Sequence, residues 1–365
     1  MKYHTSLSNH VASSLYFRLY KNLVMEPVNI ENRNKYALIT GATSGIGFEL
    51  AKCFAKDSYN LILVARNEDR LNEVANELKK NFAIEVTPIA KNLFAPGSAE
   101  EIYEQTRSMG ITVDVLVNDA GQGEWGPFVD TSLERDLDII HLNIIGLLSL
   151  TKLFLRDMVR RNEGRILQVG SEAGTTPMPL LSVYAATKAF VLSFSAALAE
   201  ELRDTNITIT VLLPGATDTD FFHKAGQEDT VTYRESELAD PEVVAKDGYE
   251  ALMKGERKII SGNKTKLHVW LNDLLGSKMS ASNARKMNEP SHNIAGEKLP
   301  QHEASLNERE YITQQSGERD GDLISGRKYK DRTASNEPVL NKENLPDATN
   351  ESTGIIGSGQ RQDSN

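Results

Sequence analysis

The chain has 365 residues, 39% of them hydrophobic, enough for one large domain or two ordinary ones. A net charge of −10 argues against a general nucleic-acid binder, because such proteins neutralise phosphates with Lys and Arg. The single cysteine, Cys53, excludes an internal disulfide and a cysteine metal cage, and no apolar run of about 18 residues marks a transmembrane helix.

In chain order, residues 1–34 are expected to be an N-terminal extension. The first 25 residues carry Lys2, Arg18 and Lys21 without an acid, beside Leu15, Phe17 and Leu19. A poorly ordered segment is the plain expectation, and a targeting segment or an amphipathic surface helix is the alternative. From Lys35 the pattern becomes regular. Strands are expected at 36–40, 60–65, 85–90, 113–118, 165–169 and 208–213, with helices at 48–56, 68–80, 133–161 and 184–204. Strands alternating with long helices predict an α/β, doubly wound architecture around a central parallel sheet. A last apolar helix is expected at 264–275, with a continuation to 287. The folded domain thus covers 35–289, and the polar stretch 290–365 is expected to be a disordered tail.

Between the first strand and the first helix lies Thr40-Gly41-Ala42-Thr43-Ser44-Gly45-Ile46-Gly47. Glycines there permit positive φ and close approach to a pyrophosphate, and the helix start offers free N–H groups. The G-x-x-x-G-x-G spacing is weak alone, since glycine turns before helices are frequent. The second strand ends Val64-Ala65-Arg66-Asn67. An NAD enzyme usually places an acid there for the ribose 2′-hydroxyl. Arg66 instead suits a 2′-phosphate, which predicts NADP(H) preferred with NAD(H) possible. Glu68 and Asp69 follow closely and keep a solvated loop role for Arg66 open.

Tyr184 and Lys188 stand four residues apart on a helix and share a face. A phenol ordinarily titrates near pH ~10. A neighbouring ammonium and an oxidised nicotinamide would lower that value and allow proton exchange with a carbonyl or alcohol. Ser171 follows an apolar strand, where its hydroxyl can bind the substrate oxygen. Asn143 sits among Leu142, Ile144 and Ile145 and needs a partner if buried. Cys53 reads as a small hydrophobe and His141 as structural, since neither has ligand spacing around it. No metal site is expected.

These residues together resemble a short-chain dehydrogenase/reductase with the T-G-x-x-x-G-x-G turn. The match comprises Thr40 to Gly47, Asn118-Asp119-Ala120-Gly121, Asn143, Ser171, Tyr184 with Lys188, and Pro214-Gly215 followed by Thr217. The resemblance implies a Rossmann fold and NAD(P)-dependent oxidoreduction of a small carbonyl or alcohol. It also implies assembly as a homodimer or homotetramer through the two long helices. Lys188 would also hold the nicotinamide ribose, and Asn143 would support a proton-relaying water. Asn118, Ala120 and Gly121 would serve the adenosine side, and Pro214 to Thr219, with Gly215 and Thr217, the carboxamide.

Two positions depart from the family's pattern. Asp119 stands in place of the second Asn, and Asn92-Leu93 in place of an Asp-Leu pair at the adenine. Residues 221–236 are expected to form part of a substrate lid, with residues 122–125 as the opposite wall. A cytoplasmic enzyme is expected. A 3-oxoacyl-thioester reductase and a non-catalytic nucleotide-binding scaffold are the alternatives.

Overall fold

A computed structural model describes residues 29–291 of the chain, which divides into the units Met1–Glu297 and Lys298–Asn365. Most of the N-terminal extension and nearly all of the tail lie outside the described residues. The seven strands are β1 (Tyr36–Thr40), β2 (Asn60–Ala65), β3 (Val86–Ala90), β4 (Val113–Asn118), β5 (Gly164–Val169), β6 (Ile207–Leu213) and β7 (Lys258–Ile260). They form one parallel sheet in the order β3-β2-β1-β4-β5-β6-β7. The chain reverses direction across the sheet between β1 and β4, which opens a crevice beyond their C-terminal ends. β7 is absent from the sequence expectation because three residues give no readable alternation.

Alternation along the strands supplies a core to both faces. Ile39, Leu61, Leu63, Val115 and Val117 pack with Leu50, Phe54, Leu71 and Leu78 on one side. Leu38, Ile62, Leu116, Ile166 and Ile209 pack with Ile102, Leu150 and Phe154 on the other. Each such fully buried side chain contributes roughly 1.5–3 kcal/mol, which is why the strands read as near-continuous apolar runs.

The covering helices are α1 (Gly45–Lys56), α2 (Glu68–Asn81), α3 (Ser98–Ser108), α4 (Leu133–Ile140), α5 (Leu147–Arg161) and α6 (Ser182–Glu201). After the sheet's sixth strand come the short α7 (Phe221–Ala225) and α8 (Val231–Glu235), then α9 (Pro241–Lys254), α10 (Asn263–Leu275) and α11 (Ser277–Asn288). The expected single helix over 133–161 is interrupted by a π-helical turn, His141–Gly146, a feature frequent at functional sites. By length and composition alone, Leu133–Arg161 and Ser182–Glu201 are apolar enough to cross a membrane. Both bury residues against the sheet, including Leu150, Phe154 and Val191.

The folded body is longer than 35–289. Asn29 and Asn32 donate to the Asp57 carboxylate at 2.9 Å each, docking residues assigned to the extension. At the other end the Ser291 backbone N–H donates to the Asp229 carbonyl at 2.8 Å.

Candidate active site

The crevice at the strand ends is a cleft of about 1750 Å³. Its floor is the glycine turn. Gly41 has φ +72° and Gly45 φ +55°, conformations that cost any other residue strain. A side chain at Gly45 would strike Thr219. Thr43, Ser44, Gly45 and Ile46 line the cleft. The Ser44 side chain makes no capping hydrogen bond to α1, and a helix start of this kind suits an anion. α1 begins at Gly45, three residues earlier than expected, because the glycines are its first turn. Gly47 does not line the cleft. A Cβ there would lie 2.5 Å from both the Gly41 carbonyl and the Asp119 carboxylate, so its role is close packing.

Arg66 lies in the adenosine-side wall with its guanidinium 4.8 Å from the Phe94 ring centroid. Glu68 and Asp69 occupy the first turn of α2, behind an Asn67 cap whose carbonyl oxygen accepts from Arg70 N at 2.8 Å. There the helix dipole favours acids, which accounts for them without a ribose role. Leu93 lines the cleft and Asn92 stands beside it. The Asn92 side chain is exposed, and its oxygen accepts from Phe94 N at 3.2 Å, closing a local turn.

At the end of β4, Ala120 and Gly121 line the cleft and Asn118 does not. Asn118 is buried behind it, donating to Thr151 at 3.1 Å and to Gln168 at 3.0 Å, so it braces the sheet. The Thr40 hydroxyl accepts from the backbone N–H groups of Asp119 and Ala120, both at 3.1 Å. Sequence reasoning kept Thr40 within the turn motif but missed this staple between β1 and β4, because the two partners are 79 and 80 positions away.

Tyr184 and Lys188 lie on α6 and both face the cleft, with the ammonium 5.7 Å from the phenol ring centroid. Burial pushes the Tyr184 phenol up to about 12, and a hydrogen bond from Ser171 opposes the rise. In the structure burial, rather than the Lys188 ammonium, sets the direction of the shift. The ammonium instead donates to the Val169 carbonyl at 2.8 Å, and its own pKa is lowered by burial, with Asp119 opposing. Ser171 begins a short 3-10 turn after β5, where its hydroxyl accepts from Ala173 N at 3.1 Å. The site therefore holds a protonated phenol, hydrogen-bonded to a serine, beside a buried amine.

Asn143 is buried behind the cleft lining, at the same junction as Lys188. Its amide donates to the Gln122 carbonyl and to Thr187, both at 2.9 Å, and its oxygen accepts from Gln122 N at 3.0 Å. The side chain is thereby occupied by protein groups. Thr187 in turn donates to the Tyr184 carbonyl at 2.7 Å, so Asn143 positions the helix that carries Tyr184 and Lys188. A Cβ at Gly121 would stand 3.3 Å from Lys188 Nζ and 3.4 Å from Asn143 Oδ1, crowding the same junction.

Asp119 is the residue whose importance the sequence understated. Its carboxylate accepts from Gly47 N in the first turn of α1 and faces Lys188. Burial raises its pKa well above the usual carboxylate range.

On the far side, Pro214, Gly215, Thr217 and Thr219 line the cleft after β6. Gly215 leaves room for Thr265 of α10. Phe221 lies 4.8 Å from the Tyr184 ring, and a Cβ at Gly123 would touch it. Residues 221–236 hold the short helices α7 and α8. Trp125 anchors the opposite wall by donating to the Asn288 carbonyl at 2.8 Å. The walls supplied by α10 and α11, including His268 and Leu271, were not legible in sequence. Cys53 is partly buried, and burial pushes its thiol up to about 11, against a reactive role. No cluster of metal-ligating side chains occurs among the described residues.

The family profile for short chain dehydrogenases matches residues 35–230. A very-long-chain 3-oxoacyl-CoA reductase of Homo sapiens is 35% identical over 189 residues, 49% of this chain and 58% of that protein. One from Laccaria bicolor is 39% identical over 180 residues, covering 48% and 53%. The chain thus spans little more than half the length of these curated relatives. Among solved structures, a short-chain dehydrogenase from Sphingobium yanoikuyae in complex with NADPH is 27% identical with a TM-score of 0.59, covering 71% of this chain and 99% of that one. A closed form of serine dehydrogenase complexed with NADP+ is 29% identical with a TM-score of 0.56, covering 62% and 93%. With the profile matched over more than half of its length and the motif residues gathered at one crevice, the chain belongs to the short-chain dehydrogenase/reductase family.

Proposed function

We propose that the protein is an NADP(H)-dependent carbonyl reductase acting on apolar ketones. The observation that carries this reading is the Tyr184 phenol, buried in the strand-end cleft beside Ser171 and Lys188, with the glycine turn lining the same cleft. The residues fit the cofactor. The Ser44 side chain leaves the α1 start uncapped and two glycines take positive φ, which suits a diphosphate, and Arg66 in the cleft wall suits a 2′-phosphate. Bound there, NADPH supplies the hydride. Ser171 orients the substrate oxygen, and Tyr184 donates its proton to that oxygen as charge develops. Lys188, held by Val169, keeps positive charge beside the phenolate that results. Phe221, Met178 and Leu181 give the reacting carbon an apolar surround. Pairing through α4 to α6 belongs to this reading too, since Leu133, Leu137 and Ile145 stand exposed there.

The test is an NADPH-oxidation screen over aldehydes and ketones, repeated with NADH. Turnover lost in Tyr184→Phe with cofactor binding retained supports the reading. Faster turnover with NADH would remove the role of Arg66, and retained turnover in Tyr184→Phe would remove the mechanism.

A second reading, a 3-oxoacyl-thioester reductase, is favoured by the curated relatives. The substrate mouth speaks for the uncharged ketone. Glu172, Asp220, Glu235 and Glu237 line it, while Lys224 and Lys264 are paired with Asp220 and Glu237. Among the lining side chains a polyanionic coenzyme A tail meets no surplus of positive charge, the other exposed lysines of α10 and α11 lying outside that lining. The profile match ends at residue 230, before the walls formed by α9 to α11. A 3-oxoacyl-CoA turned over faster than any free ketone would reverse the ranking.

A further inference from the structure

The C-terminal helices differ in charge from the rest of the molecule. Residues 263–288 hold five basic side chains (Lys264, Lys266, Lys278, Arg285, Lys286) against one acid, Asp273, in a chain of net charge −10. On α10, Leu267, Trp270 and Leu274 are exposed at 54%, 59% and 68%. Their i, i+3, i+7 spacing places them on one stripe. Met279 at the start of α11 extends the apolar surface, 53% exposed. The inward residues of the same helix are already used. Val269 is buried, and Thr265, His268 and Leu271 line the cleft. Lys264 and Arg285 are paired with Glu237 and Glu289, while Lys266, Lys278 and Lys286 stand exposed.

An apolar stripe with tryptophan, flanked by lysines, is the pattern of a helix lying in the plane of a bilayer interface. The indole suits the headgroup level, and the lysine stems reach back to anionic lipid. A soluble protein would leave such a stripe facing water at a cost of apolar hydration. We propose that α10 and the start of α11 form a peripheral docking surface for an anionic lipid membrane, entered by Leu267, Trp270, Leu274 and Met279. Because the opposite face of α10 lines the cleft, docking would bring the substrate mouth to the bilayer surface. The inference concerns binding alone and stands whether or not the ketone assignment holds.

The test is flotation of the full chain with phosphatidylcholine vesicles, with and without phosphatidylserine. Trp270 is one of two tryptophans in the chain, the other, Trp125, being held at Asn288. Binding to the anionic vesicles, weakened by salt, with a blue-shifted emission that disappears in Trp270→Phe, is expected. The double variant Leu267→Asp, Leu274→Asp is expected to lose binding by about tenfold or more. These two side chains do not line the cleft, so the circular-dichroism spectrum and melting temperature should be retained, reporting a folded protein. Undiminished vesicle binding by that variant would overturn the proposal and move the contact to another part of the chain. Equal binding to neutral vesicles would also overturn it. So would a wild-type dimer that the variant converts to monomer without any vesicle binding, since the stripe would then join two copies of the chain.

Discussion

The two halves of the cleft are built by different means. The cofactor side is made of backbone. Gly41, Gly45 and Gly47 bring β1, α1 and the end of β4 into contact that a single methyl group would disturb, and the Thr40 hydroxyl staples the strands together. The substrate side is made of side chains on short helices. Phe221 leans on Tyr184, Trp125 reaches Asn288, and Asn288 donates to the Pro179 carbonyl at 3.0 Å. Backbone construction tolerates few substitutions and leaves a sequence signature. Side-chain construction tolerates many and leaves little, which is how one fold serves many substrates.

That contrast can be broken or sharpened by substitution. The largest effect belongs to the chemistry both halves share. Tyr184→Phe is expected to lower kcat by about 10²–10⁴-fold while leaving the dissociation constant for NADPH nearly unchanged, as read by fluorescence titration. Gly47→Ala tests the backbone half. With its new methyl group 2.5 Å from the Gly41 carbonyl, it should cost about 1–3 kcal/mol in chemical denaturation. An unchanged denaturation midpoint would show that the turn is looser than the contrast requires. Arg66→Ala should weaken NADPH binding by about tenfold to a hundredfold with little effect on NADH, measured by isothermal titration.

Asp119→Asn sharpens the comparison through pH. Asp119 has a raised pKa in the fold, so the native state holds more protons than the unfolded chain between the ordinary carboxylate value and the raised one. Stability contributed by this residue therefore falls as pH rises through that window. The asparagine variant, which can still accept from Gly47 N, should melt about 2–4 °C higher than the parent at pH 8 and show no such gain in mild acid. It should also bind NADPH more tightly at pH 8, because a carboxylate no longer competes with the diphosphate at the α1 start. A variant with the same pH profile as the parent would show that this carboxylate does not titrate in the fold. The smallest effect is reserved for the side-chain half. Asn288→Ala removes the side-chain hydrogen bond to the Pro179 carbonyl, about 1 kcal/mol, and should raise KM a few-fold with kcat retained.

The sequence alone determined the doubly wound sheet, the position of its glycine turn and the pairing of Tyr184 with Lys188. Each of these rests on local periodicity or on a backbone geometry that only certain residues permit. The tertiary structure decided what those residues do. It tied Asn143 to Gln122 and Thr187, gave the Asn92 oxygen a local turn to close, and set Asp119 against Gly47 and Lys188. It also gave the phenol its high pKa, since burial depends on which distant segments close over a side chain. Contacts between residues far apart along the chain leave no period to read, and those contacts are where charge and proton affinity are set.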